Sequence, residues 1–247
     1  MIWVMAMFLA CGDKIEVGDD TGSEGLNPMR YPSGDEILVY TGHGGVDGDG
    51  GASGEVEIVS ARWQSTLGYQ TNVRDVIPTD LSDYRAIIMM APGYHESENF
   101  SASDVKQLRA ALANGTRLII LADNQTCSEA SVSNLLGLLD VTVRFDGFAS
   151  TAANLVQVET FNYESQVVEG LTEVLLHAPC YATDGDAGEM FFADKDNNVV
   201  GVRQQFGGGG DVVLIGDYRF LDDTGYLDYV DNALLADNLV IVQPSDQ

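Results

Sequence analysis

Three short and nearly unbroken apolar runs constrain this chain more than any other feature: Arg85-Ala86-Ile87-Ile88-Met89-Met90-Ala91, Arg117-Leu118-Ile119-Ile120-Leu121-Ala122 and Asp211-Val212-Val213-Leu214-Ile215-Gly216. They are too short to cross a bilayer and too continuous for strands with one wet face, so they read as strands covered on both sides, as in a parallel sheet. A fourth run, Ile37-Leu38-Val39-Tyr40, opens the folded region after Pro32-Ser33-Gly34. Helical signals separate these strands. Ser53 is placed to cap a helix whose inner side is Val56, Val59, Trp63 and Leu67, with Gly68 ending it and Trp63 in the core. Thr71 to Arg74 then forms a short strand. Ser101 and Asp104 make a capping box ahead of Val105, Leu108 and Leu112, and Asn114-Gly115 stops that helix. A further helix over 129–139 leads to a strand at Val141-Thr142-Val143-Arg144. This alternation predicts an α/β fold with a central parallel sheet and helices on both faces.

Beyond residue 150 the pattern changes. Val156 to Glu159, Glu173 to His177, Glu189 to Phe192 and Val199 to Val202 are short strand candidates, with a hairpin turn at Asp194 to Asn198. Residues 150–200 therefore read as a β-rich insertion within one domain spanning 35–247. The chain closes on a helix from about Gly225 to Asn238, with Leu227, Val230, Leu234 and Leu235 inward.

Arg85 to Gly93, Asp104 to Asp123 and Asp211 to Leu239 resemble the class I glutamine-amidotransferase-like superfamily in its non-catalytic branches. Those branches include domains of bacterial membrane and secreted proteins and a related domain of gliding-motility and intraflagellar-transport proteins. The resemblance implies a flavodoxin-like three-layer sandwich. In the amidotransferases a cysteine stands on the sharp turn after the strand equivalent to Leu118 to Leu121. Here Ala122 takes that place, and Cys127 lies about a turn later. The family's His-x-Glu pair is also missing, because His177 precedes Ala178 and Pro179. A thiol nucleophile needs a base in reach and a third group to orient it, so no glutamine hydrolysis is expected, and the chain reads as leaning away from enzymes.

Ligands of open parallel sheets bind beyond the carboxyl ends of the strands. That rule selects His43, Tyr94, His95, Asp123, Asn124, Asp217 and Arg219 as candidates for a binding cleft. Arg219 suits an internal ion pair with Asp217, Asp222 or Asp223 better than a ligand contact. His43, His95 and Asp123 are acceptable metal ligands in type but lack a zinc spacing. Asp47 and Asp49 are weak candidates for a hard cation, since an EF-hand loop starting at Asp47 would place Ile58 where its closing Glu belongs. Gly42-His43-Gly44-Gly45 lacks the ending of a phosphate loop. No cofactor is expected.

Residues Ile2 to Ala10, followed by Cys11, resemble the lipobox of bacterial lipoproteins, in which the cysteine is acylated. This predicts a signal over 1–11, lipidation at Cys11, a flexible tether over 12–34, and an outer-membrane position in the cell envelope. Twelve Lys and Arg against 38 Asp and Glu give a formal charge of −26, which repels nucleic acid and anionic lipid alike. Membrane contact would run through the lipid, leaving an envelope protein or glycan as partner. Cys127 and Cys180 could pair in an oxidising compartment or remain small buried hydrophobes. The expected function is ligand binding or scaffolding, with an envelope hydrolase using His and Asp at the strand ends as the alternative.

Overall fold

A computed structural model describes residues 34–46, 56–151, 155–221 and 226–242. Cys11, residues 12–33 of the tether, Ser53, Asp47, Asp49, Asp222 and Asp223 lie outside the described residues.

The four strands expected to run parallel do so, in register, within one sheet. β1 (Glu36–Tyr40) lies between β2 (Gln70–Arg74) and β3 (Tyr84–Met90). β4 (Arg117–Leu121) follows β3, and β11 (Asp211–Ile215) follows β4. Every residue of β4 and β11 is buried. The sheet does not stop there. β10 (Val199–Gln205), β9 (Glu189–Asp194), β6 (Leu155–Phe161) and β7 (Val174–His177) continue it antiparallel, giving nine strands in the order β2-β1-β3-β4-β11-β10-β9-β6-β7. The expected parallel sheet is thus a mixed one. The β-rich residues extend it rather than sit beside it, because hairpins let consecutive strands pair without a crossover.

Helices cover both faces. α1 (Glu57–Arg62) continues into a wider turn at Trp63–Leu67 and ends at Gly68, whose φ of 76° satisfies the left-handed stop. Trp63 is fully buried, and its Nε1 donates to the Ala236 carbonyl at 3.1 Å. α1 packs on one face with α4 (Asn232–Val240), around Ile37, Val39, Ile88, Ile119 and Val213. On the other face α2 (Ala102–Ala113) and α3 (Ala130–Leu138) pack over Leu38, Ile87, Leu118, Ile120 and Leu214. The Ser101–Asp104 capping box is present, with the Ser101 amide donating to Asp104 at 2.8 Å and the Asp104 amide to Ser101 at 3.2 Å.

Two expectations fail. Residues 141–143 are not a strand. Gln204 Oε1 accepts the Thr142 amide at 2.6 Å and the Val143 amide at 3.2 Å, so a side chain takes the donors a neighbouring strand would have used. The strand starts at Arg144 instead, and β5 (Arg144–Ala149) pairs antiparallel with β8 (Cys180–Thr183) as a separate two-stranded ribbon. The last helix begins at Asn232, not near 225. Val230 has a φ of 38° and is 49% exposed, so the chain breaks between a short turn at Tyr226–Asp228 and α4.

Candidate functional site

The carboxyl ends of β3, β4 and β11 carry a polar cluster built on buried backbone. β4 delivers Asp123, which is 1% exposed; its backbone amide donates to Thr126 Oγ1 at 2.9 Å, and its Oδ1 accepts the Gln125 amide at 3.0 Å. β11 delivers Asp217, also 1% exposed, whose oxygens accept the His177 amide at 2.7 Å and the Arg219 amide at 3.0 Å. Arg219 reaches across to Asp123, with 3.4 Å between Nε and Oδ2, and its guanidinium lies 5.6 Å from the Tyr218 ring. The expected ion pair of Arg219 therefore exists, but with Asp123 of the neighbouring strand; Asp217 holds its backbone. From the β3 end, Tyr94 packs edge-on to Tyr218 at 6.2 Å and accepts from Gln125 Nε2 at 3.5 Å.

Burial pushes the Asp217 carboxyl up to about 7, and the nearby Asp123 charge adds to the rise. The two backbone amides and Arg219 act in the opposite direction and are outweighed. Burial works against the Arg219 charge, but Tyr218, Asp123 and Asp217 more than offset it, so its pKa rises.

A disulfide closes the floor of this cluster. Cys127 and Cys180 are bonded, with Cα atoms 5.2 Å apart, and Cys180 donates its amide to the Gly216 carbonyl at 2.8 Å. The pair ties the loop after β4 to β8 and packs on Ala122. Ala122 is 2% exposed and gives its amide to Ile215 at 2.9 Å, so it still belongs to the sheet ladder.

The remaining candidates lie apart. His43 stacks on Phe100 at 3.9 Å, hydrogen-bonds to the Tyr40 hydroxyl through Nδ1, and places Nε2 3.8 Å from Asp104. Those contacts fasten it to the start of α2. Burial raises the Tyr40 phenol, with Asp104, Glu98 and Asp75 adding to the rise. The loops after β1 and β3 are stitched together by the Gly93 amide on the His43 carbonyl at 2.9 Å and the His95 amide on Gly44 at 2.7 Å. His95 is exposed beside Tyr94, and Asn124 is exposed next to Asp123. The set His43, His95 and Asp123 forms no metal centre: among the described residues no group of three or more His, Cys, Asp or Glu could hold a metal ion.

One member of the cluster was not selected from the sequence. His177, at the end of β7, gives its amide to Asp217 while its buried Nδ1 has no partner. β7 is antiparallel, so a rule about the ends of parallel strands passes over it. Its visible signal was a histidine closing an apolar strand just before Ala178-Pro179.

The architecture is an α/β sandwich with a mixed, largely parallel sheet and polar groups gathered at its strand ends. The chain belongs to the family described as Domain of unknown function (DUF4350), whose model matches residues 63–240. No curated protein matches it. Among solved structures it is similar to the mmIFT52 N-terminal domain, at 14% identity and a TM-score of 0.66, over 82% of this chain and 94% of that one. It is also similar to a ThuA-like protein from Bacteroides uniformis, at 13% identity and a TM-score of 0.55, over 87% and 95% of the two chains. A glutamine amidotransferase from Thermotoga maritima follows at 10% identity and a TM-score of 0.49, over 83% and 89%. At these identities the likeness to the first two is one of fold. Among the described residues no helix is long and apolar enough to cross a membrane.

Proposed function

We propose that this chain is a non-catalytic, amidotransferase-like binding or scaffolding domain at the bacterial cell envelope, held at the outer membrane through lipid on Cys11. The observation that carries the reading is Ala122. It stands where the resemblance would put the nucleophile, it has no thiol, and its backbone is not in the positive-φ region that a strained nucleophile turn adopts. The acids around it are already engaged: Asp123 by Arg219, Asp217 by two amides. The Cys127–Cys180 bond supports an exported location, since such bonds persist in oxidising compartments.

A hydrolase reading draws on one feature, Asp217, a buried carboxyl held up to about 7 beside a histidine with a free ring nitrogen. Against it, Asp217 is 1% exposed and both oxygens accept backbone amides.

Two measurements test the proposal. The purified chain, incubated with glutamine and with chromogenic glycosides and peptides, should release nothing above a heat-treated control. Turnover lost in Asp217→Asn would overturn the non-catalytic reading. In bacteria expressing the full chain, detergent should release it from the membrane fraction, and Cys11→Ser should leave that fraction depleted. An intact Met1 terminus by mass spectrometry would remove the anchor.

A further inference from the structure

The two edges of the nine-stranded sheet are finished differently. At β7, Asn232 Oδ1 accepts the Leu175 amide at 3.0 Å, Asn232 Nδ2 donates to the Leu175 carbonyl at 2.9 Å, and Asp217 takes the His177 amide. Side chains thus plug the outward row of that strand. At β2 the parity is set by the Gln70 amide donating to Asp35 at 3.0 Å and by the Arg74 carbonyl accepting from Thr41 at 2.9 Å. Residues 70, 72 and 74 turn their backbone groups toward β1, so Thr71 and Val73 turn theirs away. Among the described residues nothing pairs with those outward groups. The strand carries no proline or bulge, and its only charge is Arg74, so the devices that usually guard an edge are missing.

Beside this edge, between β2 and α1, runs a groove of about 370 Å³ lined by Val56, Glu57, Ser60, Gln64, Thr71 and Val73. Val73 and Val76 remain 41% and 64% exposed. Acidic residues frame the strand: Asp35 and Glu36 at its start, Asp75 after its end, and Glu57 in the groove.

We infer that the β2 edge receives an extended, cationic segment of a partner protein, which joins the sheet as a tenth strand and lays alternate side chains over the α1 groove. Main-chain bonds to Thr71 and Val73 supply the affinity of such strand addition, and the groove and the acids supply the selection. A second copy of this chain fits poorly, because it would bring the same acids and another formal charge of −26 to the junction. The inference gives the scaffolding reading a surface and depends on that reading for its role. The test below leaves the strand-end cluster untouched, so the two can fail separately.

The probe is a fluorescent peptide of about eight residues that alternates lysine and valine, a strand-length segment. The control has equal charge but carries prolines that forbid strand pairing. With the full chain, anisotropy should show the alternating peptide binding at least about tenfold more tightly than the control, and hydrogen exchange at the Thr71 and Val73 amides should slow when it binds. Val73→Pro removes one outward donor without touching the β1 ladder, and should weaken binding by about tenfold or more. Val73→Lys, which keeps the backbone intact, should weaken it too. Equal binding of both peptides, or full binding by both variants, overturns the inference. So does protection of these two amides in the free monomer, which would mean the chain covers its own edge. A dimer dispersed by Val73→Pro would name a second copy as the occupant and overturn it as well.

Discussion

In the parallel half of the sheet β4 buries all five residues from Arg117 to Leu121, while in the antiparallel half β6 alternates buried Val156 and Val158 with exposed Gln157 and Glu159. The first half is held by apolar contact on both faces, spread over many residues. The second shares that core through Phe191, Phe192 and Val200 but adds point attachments at its turns: the Asp194 side chain that accepts the Asp196 and Asn198 amides at 2.9 Å each, and Asp231, which takes the Thr172 amide at 2.6 Å. Between them lies a charged joint. Arg117 on β4 donates to Asp211 on β11 at 2.8 and 3.0 Å, and Arg203 on β10 donates to the same carboxylate at 2.6 Å. Arg117 also donates to the Asn238 and Leu239 carbonyls at the end of α4. Burial alone would raise the Asp211 pKa, but the two guanidinium groups outweigh it and hold it low. Distributed packing should fail all at once, and point attachments one at a time.

The largest effect should come from the parallel half. Ile119→Asp removes about 2 kcal/mol of burial and strands a charge in the core, so the chain should lack a cooperative thermal transition. A folded variant would break the comparison. At the joint, Arg117→Ala leaves Asp211 facing Arg203 alone and frees carbonyls of α4, with an expected loss of roughly 3–5 kcal/mol in denaturant unfolding. At the β5–β8 ribbon outside the main sheet, Cys127→Ala with Cys180→Ala opens a bond across a sequence separation of 53 residues, worth typically about 2–4 kcal/mol. Its mark should be local: exchange should quicken in β5 and β8 before it does in β3 or β4.

Asp217 sharpens the comparison through pH. Its pKa is raised in the folded chain, so the stability it contributes is fully present below its unfolded value near 3.8 and is lost as pH rises through about 7. Between pH 5 and pH 7 the loss should be about 2 kcal/mol. Asp217→Asn should flatten that slope, and an unchanged slope would assign it to other groups. The smallest effect belongs to the exposed pair Lys195–Asp196, where Lys195→Ala should leave the melting temperature unchanged.

The same division governs what the sequence disclosed. The runs at β3, β4 and β11 were visible because strands covered on both faces need continuous apolar residues, and α2 was visible because its capping box is local. β5 was not, since Arg144-Phe145-Asp146-Gly147-Phe148-Ala149 has no clean alternation, and residues 141–143 misled because the group that takes their amides, Gln204, is about sixty residues away. Within the candidate site, strand ends were legible and pairings were not. Asp123 finds Arg219 across 96 positions, and His43 is drawn to Phe100 and Asp104 through a stack that no spacing reveals. The disulfide had no spacing rule to announce it; only the fold brings those two cysteines together.

The place of β11 in the sheet also sets the order in which the molecule can come into being. β4 lies between β3 and β11, and its second neighbour is about 94 residues downstream, so a growing chain that has reached β4 still has one side of its most apolar strand open. Trp63 likewise waits for Ala236. Contacts of such long sequence separation form late and slowly. The core on that side of β4 therefore cannot close until β11 has emerged, so completion of the sheet belongs to the last stage of synthesis.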